Sequence, residues 1–183
     1  MSNNTETVDK LFDYAIELER AAETLYRQMG KLFAHQHDVA QYWEHYADEE
    51  RGHASYLERT KAGVSAERLT LPADIKIITD TRKCLDVLAR KKLESIHNLE
   101  DAYQLATELE NSETNAIFEF MITNFSTVEL EKSHKFLQIQ LGSHIARLET
   151  ELPDAYKSKA ARQKLAVARQ PSYHPTAWDK RHT

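Results

Sequence analysis

The tetrapeptide Glu50-Arg51-Gly52-His53 has a counterpart in Glu131-Lys132-Ser133-His134, and the reading of this pair decides the fold. On a helix, a Glu and a His three residues apart differ by about 60° around the axis, so both point to one side. One carboxylate oxygen and one imidazole nitrogen then reach a common point, as a transition metal requires. Each tetrapeptide also has a carboxylate upstream. The interval from Glu19 to Glu50 is identical to the interval from Glu100 to Glu131. The displacement that carries His53 onto His134 is also the one that carries Glu19 onto Glu100. A lone Glu-x-x-His arises by chance in many charged helices, but three groups repeated at one displacement are far rarer. Leu18/Leu99 and Ala21/Ala102 share that displacement and little else does, so the repeat is one of spacing.

Working outward, Val8, Leu11, Phe12, Ala15, Leu18, Ala22, Leu25 and Met29 recur at helical steps and predict a first helix from about Thr5 to Leu32. Glu19 falls beside this stripe, with Tyr26 almost directly above it. The pattern lapses at Ala34-His35-Gln36-His37. Asp38, with Gln41 three residues on, is the expected N-cap of a second helix reaching about Lys61. If these helices form an antiparallel hairpin, residues equidistant from the turn share one height. The midpoint of Glu19 and Glu50 falls at residues 34–35, and that of Glu100 and Glu131 at 115–116, beside the polar stretch 111–115. Each hairpin thus brings its Glu and its Glu-x-x-His to one level.

The segment Lys61 to about Asp80 is long enough to run the length of a bundle and is expected to be a crossover packed on the protein through Leu69, Leu71, Ile75, Ile77 and Ile78. A third helix is expected from about Asp80 to Leu109. A fourth starts near Ser112, carries Phe118, Met121, Phe125 and Phe136, and ends by Pro153. Asp154 to Arg169 reads as a short basic helix, and residues 170–183, with Pro171 and Pro175, as a tail. The expected organisation is an all-α four-helix bundle over 1–152, two helical hairpins joined by a long crossover, with the basic helix and tail over 153–183.

Composition agrees. Gly and Pro number four each, and charged residues make up 29% of 183, which favours long helices over sheet. A net charge of −5 offers no general surface for nucleic acid, and no apolar run suggests a membrane span or a secretion signal. Cys84 is the single cysteine, which excludes an internal disulfide and any four-cysteine metal module. A soluble, cytoplasmic protein is expected.

Four carboxylates and two imidazoles facing the middle of a bundle make a poor core, because buried unpaired ions cost several kcal/mol each. Two divalent cations supply the missing positive charge. A Glu from each of two helices and a Glu-x-x-His from each of two others matches the dinuclear ligand pattern of ferritin-like bundles. On that pattern Glu50 and Glu131 bridge, Glu19 and Glu100 are terminal, and His53 and His134 bind one metal each. Oxygen-rich ligation favours iron, with manganese the other candidate. Glu17, Glu23, Glu49 and Glu129 compete as glutamates but read as surface residues. Tyr26, Tyr46 and Tyr103 read as core packing near the ligand face, and His97 as an outside candidate ligand. His35 and His37 read as turn residues.

The segment Ala15-Ile16-Glu17-Leu18-Glu19-Arg20-Ala21-Ala22-Glu23-Thr24-Leu25-Tyr26, followed by Tyr46-Ala47-Asp48-Glu49-Glu50-Arg51-Gly52-His53, resembles the rubrerythrin branch of the ferritin-like superfamily. The resemblance spans about residues 5–150. It implies a di-iron carboxylate oxidoreductase, often a homodimer, that reduces hydrogen peroxide or dioxygen, with Glu19, Glu50, His53, Glu100, Glu131 and His134 as the metal ligands. Two departures from the family are visible. The paired Cys-x-x-Cys motifs of a rubredoxin domain are missing, so electrons must come from a separate donor, such as a rubredoxin-like protein. Tyr103 stands where the family carries a further glutamate, which leaves a six-ligand set. A ferroxidase that handles iron, and a bundle whose metal is only structural, are the alternative readings.

Overall fold

The computed structural model describes residues 6–90, 96–110 and 150, and the described residues are all-helical apart from turns, connections and one isolated bridge. Helix α1 spans Val8–Leu32. Thr7 caps it, its side chain accepting from Lys10 N at 3.4 Å, while Asp9 in the first turn and Lys31 in the last oppose the helix dipole. The expected stripe is its buried face, from Val8 to Met29.

A tight turn at residues 33–36, closed by Gln36 N donating to Phe33 O at 2.8 Å, leads into α2, His37–Gly63. Here the expected cap is corrected. Gln36 holds the N-cap position without a side-chain bond, and Asp38 lies in the first turn, where its charge suits the dipole. The two helices run antiparallel, as the ion pairs between them require. Lys61 contacts Asp13 at 2.6 Å and Asp9 at 2.9 Å, Arg20 contacts Glu58 at 3.0 Å, and Arg27 contacts Glu44 at 2.8 Å. Each such exposed pair contributes only about 0.2–1 kcal/mol. Their value is to set register. Gly30 packs against α2 near the turn, where a Cβ would lie 3.4 Å from Ala40 O and would displace only the flexible end of Glu44.

The connection after α2 is shorter than expected and partly ordered by backbone bonds. Helix α3, Ala66–Leu69, is one turn capped by Ser65. Residues 71–73 then pair with the start of α1, through Val8 N to Leu71 O at 3.0 Å and Ala73 N to Glu6 O at 2.9 Å. Asp74 next accepts from Lys76 N at 2.7 Å and Ile77 N at 3.3 Å, so α4 begins at Ile75 and runs to Arg90.

The continuous third helix expected over 80–109 is two helices. Residues 96–98 are not helical, and a new helix, α5, covers residues 99–110 of the described chain. Asn98 Oδ1 accepts from Asp101 N at 3.0 Å, while Asp101 Oδ2 accepts from His97 N at 2.9 Å. This reciprocal cap restarts the helix. The fourth helix, the basic helix and the tail expected beyond residue 110 lie outside the described residues.

Two apolar clusters pack against the hairpin. Val8, Leu11 and Phe12 of α1 meet Ile77 and Ile78 of α4. Toward the turn, Ala22 to Met29 of α1, Phe33 just after it, and Val39, Trp43, Tyr46 and Ala47 of α2 meet the inner face of α5. Glu19 of α1 and Glu50 and His53 of α2 fall between them along both helices. Among the described residues, no helix is long and apolar enough to cross a membrane.

Candidate metal centre

Glu19 occupies the buried face of α1, one residue after the fully buried Leu18, and remains only 2% exposed. Glu50 and His53 sit one turn apart on the facing side of α2 at 1% and 7% exposure. The antiparallel register brings all three together. His53 Nδ1 lies 3.0 Å from Glu50 Oε2 and 3.4 Å from Glu19 Oε2, and one ligand atom from each residue lies within 4.8 Å of the others.

Charge counting tests what this group can hold. Taken together, two carboxylates and one imidazole carry a net negative charge even when the imidazole is protonated. A divalent cation with neutral His53 would balance the three groups and offset the cost of several kcal/mol of burying charge. Geometry agrees. Metal–ligand bonds of about 2.1 Å near right angles place adjacent donor atoms roughly 3.0 Å apart. The observed 3.0 and 3.4 Å are separations of that kind. Two oxygens and one nitrogen form a donor set that a divalent metal ion could occupy.

The other expected ligands stand differently. Glu100 lies in the first turn of α5, half-buried, and its Oε1 accepts from Gln104 Nε2 at 3.2 Å. It is not a member of the Glu19–Glu50–His53 group. Glu131 and His134 lie outside the described residues, as does Glu129. The competing glutamates of the hairpin are engaged elsewhere: Glu23 with Arg20 and Arg27, and Glu49 with His45 at 3.5 Å. Glu17 lines an open cavity of about 390 Å³ between α1 and α4. His97 is exposed and belongs to the cap of α5.

One buried acid is not among the expected residues. Glu110 is 2% exposed, and its Oε1 accepts a 2.6 Å hydrogen bond from the Tyr26 hydroxyl. The signal for it is the buried stripe Leu99, Ala102, Tyr103, Ala106, Leu109, which Glu110 extends four residues after Ala106. Around this bond Tyr26 stacks on Trp43 at 5.8 Å and meets Tyr46 edge-on at 5.4 Å. Burial foremost, then Tyr42 and the nearby charges of Glu110 and Glu49, push the Tyr46 phenol far above its ordinary range, so it stays protonated.

Comparison of the chain with family models, curated proteins and solved structures returns no match. The functional reading therefore rests on residues and geometry.

Proposed function

We propose that this protein is a di-iron oxidoreductase of rubrerythrin-like, ferritin-like type that reduces hydrogen peroxide or dioxygen. The observation that carries the proposal is the convergence of Glu19, Glu50 and His53, all buried, on one point between two apolar clusters. The second half of the centre is inferred from spacing: Glu100, Glu131 and His134 repeat the first set at one common displacement along the chain. Within a four-helix bundle of two hairpins, that repeat sets the second group opposite the first.

The chain's own residues have separable roles. Glu19 and Glu50 supply anionic oxygens that favour a hard cation, and His53 adds a neutral donor on the face it shares with Glu50. Leu18, Ala54 and Leu57, each at most 1% exposed, help close the site to water and so strengthen every charge interaction within it. A bound ferrous pair would supply the two electrons that cleave a peroxide bond. The reducing electrons would come from a separate donor such as a rubredoxin-like protein, in keeping with the lone Cys84 among these 183 residues.

The test is anaerobic titration with Fe(II), followed by one equivalent of hydrogen peroxide per iron pair. Two irons bound per chain and rapid, stoichiometric oxidation are the expected results. Binding without oxidation would leave a structural metal, and failure to bind iron or manganese would remove the proposal. A ferroxidase role is separated by light scattering of the loaded protein, since mineral storage demands a closed cage rather than a homodimer.

A further inference from the structure

Glu17 stands two residues before Glu19, a rotation of about 200° around α1, so the two carboxylates leave opposite sides of the helix. Metal binding makes no use of Glu17. It lines instead the open cavity of about 390 Å³ between α1 and α4. The α1 wall is one face at helical spacing, Glu17, Ala21, Thr24 and Gln28, with Leu25 at its edge, and the α4 wall is Leu85, Asp86 and Leu88. Exposure sorts these residues into two layers. Glu17, Thr24, Gln28 and Asp86 are exposed and make a polar rim. Ala21, Leu25, Leu85 and Leu88 are buried or half-buried and make an apolar floor. Ala21 adds only a methyl group to that floor, so the space above the leucines stays unfilled.

The two helices run in the same direction, with Val8, Leu11 and Phe12 set against Ile77 and Ile78 at one end of the cavity. Glu17 follows Val8, and Asp86 follows Ile77, by the same number of residues, so both carboxylates reach the rim at about one height. Among the described residues, no cationic side chain lines the cavity beside them. A volume of this size falls in the range of small-molecule pockets, where an apolar lining supplies binding and a few polar groups set orientation. Negative charge at the rim repels carboxylates and phosphates and attracts a cation. The leucine floor suits hydrocarbon and offers nothing to a bare metal ion, which demands several oxygen donors.

We propose that the cavity between α1 and α4 binds a small organic ammonium ion, a primary amine on a hydrocarbon body, with its charge between Glu17 and Asp86 and its body on the leucine floor.

An ammonium group has three donors, two for the carboxylates and one for water at the open rim. A lysine side chain bears the same group, but its four-carbon stem would leave much of the cavity unfilled. A free amine is therefore the occupant. Nothing in this assignment depends on the oxidoreductase reading.

The test titrates the full-length chain, in the presence of chelator, with n-hexylammonium chloride and follows the backbone amides by two-dimensional nuclear magnetic resonance. Saturable one-site shifts centred on Ala21, Thr24, Leu85 and Leu88 are expected. Sodium hexanoate, of equal length and opposite charge, should give none there. The dissociation constant should rise about two- to fivefold in Glu17→Gln and likewise in Asp86→Asn, as the loss of one exposed charge contact predicts. Ala21→Phe, which fills the floor, should abolish the saturable shifts. Shifts that fail to saturate or that scatter over the acidic surface, equal binding of hexanoate, or constants unchanged in both carboxylate variants would overturn the proposal. Tighter binding of Nα-acetyl-lysine amide than of hexylammonium would also overturn it, by giving the cavity to a partner's lysine. The comparison of hexylammonium with hexanoate on the native chain decides the matter even where Ala21→Phe does not fold. Because Glu19 leaves the other side of α1 and the chelator keeps metal away, neither result bears on metal binding.

Discussion

Replacing Glu50 with Gln should abolish metal-dependent stabilisation while leaving the chelated protein close to its original stability. The shape of the side chain is kept and one charge is removed from the enclosed group. Two carboxylate oxygens no more than 4.8 Å apart repel by roughly 3–4 kcal/mol at an effective dielectric near 20. Loss of that repulsion is offset by loss of the 3.0 Å contact between Glu50 Oε2 and His53 Nδ1. The net change in the chelated protein should therefore stay within about 2 kcal/mol. The metal effect is separate and larger. Mn(II) at a hundredfold excess over its dissociation constant stabilises a folded site by about 2.7 kcal/mol. For a chain of this size that is a rise of roughly 5–11 °C in melting temperature. Thermal unfolding followed by circular dichroism, with chelator and with Mn(II), reads both quantities. The expected native shift should vanish in Glu50→Gln. An equal shift in the variant, or no shift in the native chain at saturating metal, would show that Glu19, Glu50 and His53 do not bind a cation as argued.

Further expectations follow from the described residues. Gly52 lies exposed between the two α2 ligands, with nothing within 4 Å of an added Cβ, so Gly52→Ala should raise stability by about 0.5–1 kcal/mol in urea unfolding and leave the Mn(II) shift unaltered. Asn98→Ala removes the side-chain acceptor that restarts α5 and should cost about 0.5–2 kcal/mol in the same assay. Leu11→Ala, at a fully buried position remote from the ligands, should cost about 2–5 kcal/mol by opening a cavity. For pH, burial raises the Asp13 carboxyl, but its hydrogen bond to Lys61 and the charges of Lys61 and Lys10 outweigh that and hold it below its usual range. A depressed folded-state value means stabilisation present above about the unfolded value of 3.8 and lost as pH falls through the folded one. The stability gap between the native chain and Asp13→Asn should accordingly be present at pH 7 and close toward pH 2, and a gap that persists in acid would contradict the assigned pairing.

The hairpin is legible in the sequence because two independent periodicities agree on it. The apolar stripe of α1 and the symmetry of Glu19 and Glu50 about residues 34–35 are both met by one antiparallel hairpin, and the ion pairs Arg27–Glu44 and Lys61–Asp9 share that symmetry. The break between α4 and α5 is not legible from hydrophobic period, because Leu85, Leu88, Ile96 and Leu105 remain compatible with one helix. What divides the helices is local polar chemistry, the exchange of bonds among His97, Asn98 and Asp101, which a stripe analysis passes over. The early start of α4 has the same origin in Asp74. Glu110 is hidden for the opposite reason: it continues an apolar stripe but is charged, and its partner Tyr26 lies far from it in the sequence.

The placement of Glu19, Glu50 and His53 also separates the assembly of the site from that of the remaining fold. All three come from one hairpin whose closing turn spans only residues 33–36, so their convergence requires local contacts alone. Such contacts form early, because closing a short loop costs little entropy. The two apolar clusters then draw α4 and α5 onto the hairpin at either end of the charged group. The ligands lie between the two clusters along α1 and α2, so a cavity opened within one cluster need not alter the donor set. That division is why Leu11→Ala is expected to lower stability sharply while leaving metal affinity near its native value. A parallel loss of Mn(II) binding in that variant, measured where it remains folded, would mean that the donors are held by the core as a whole rather than by the register of α1 on α2.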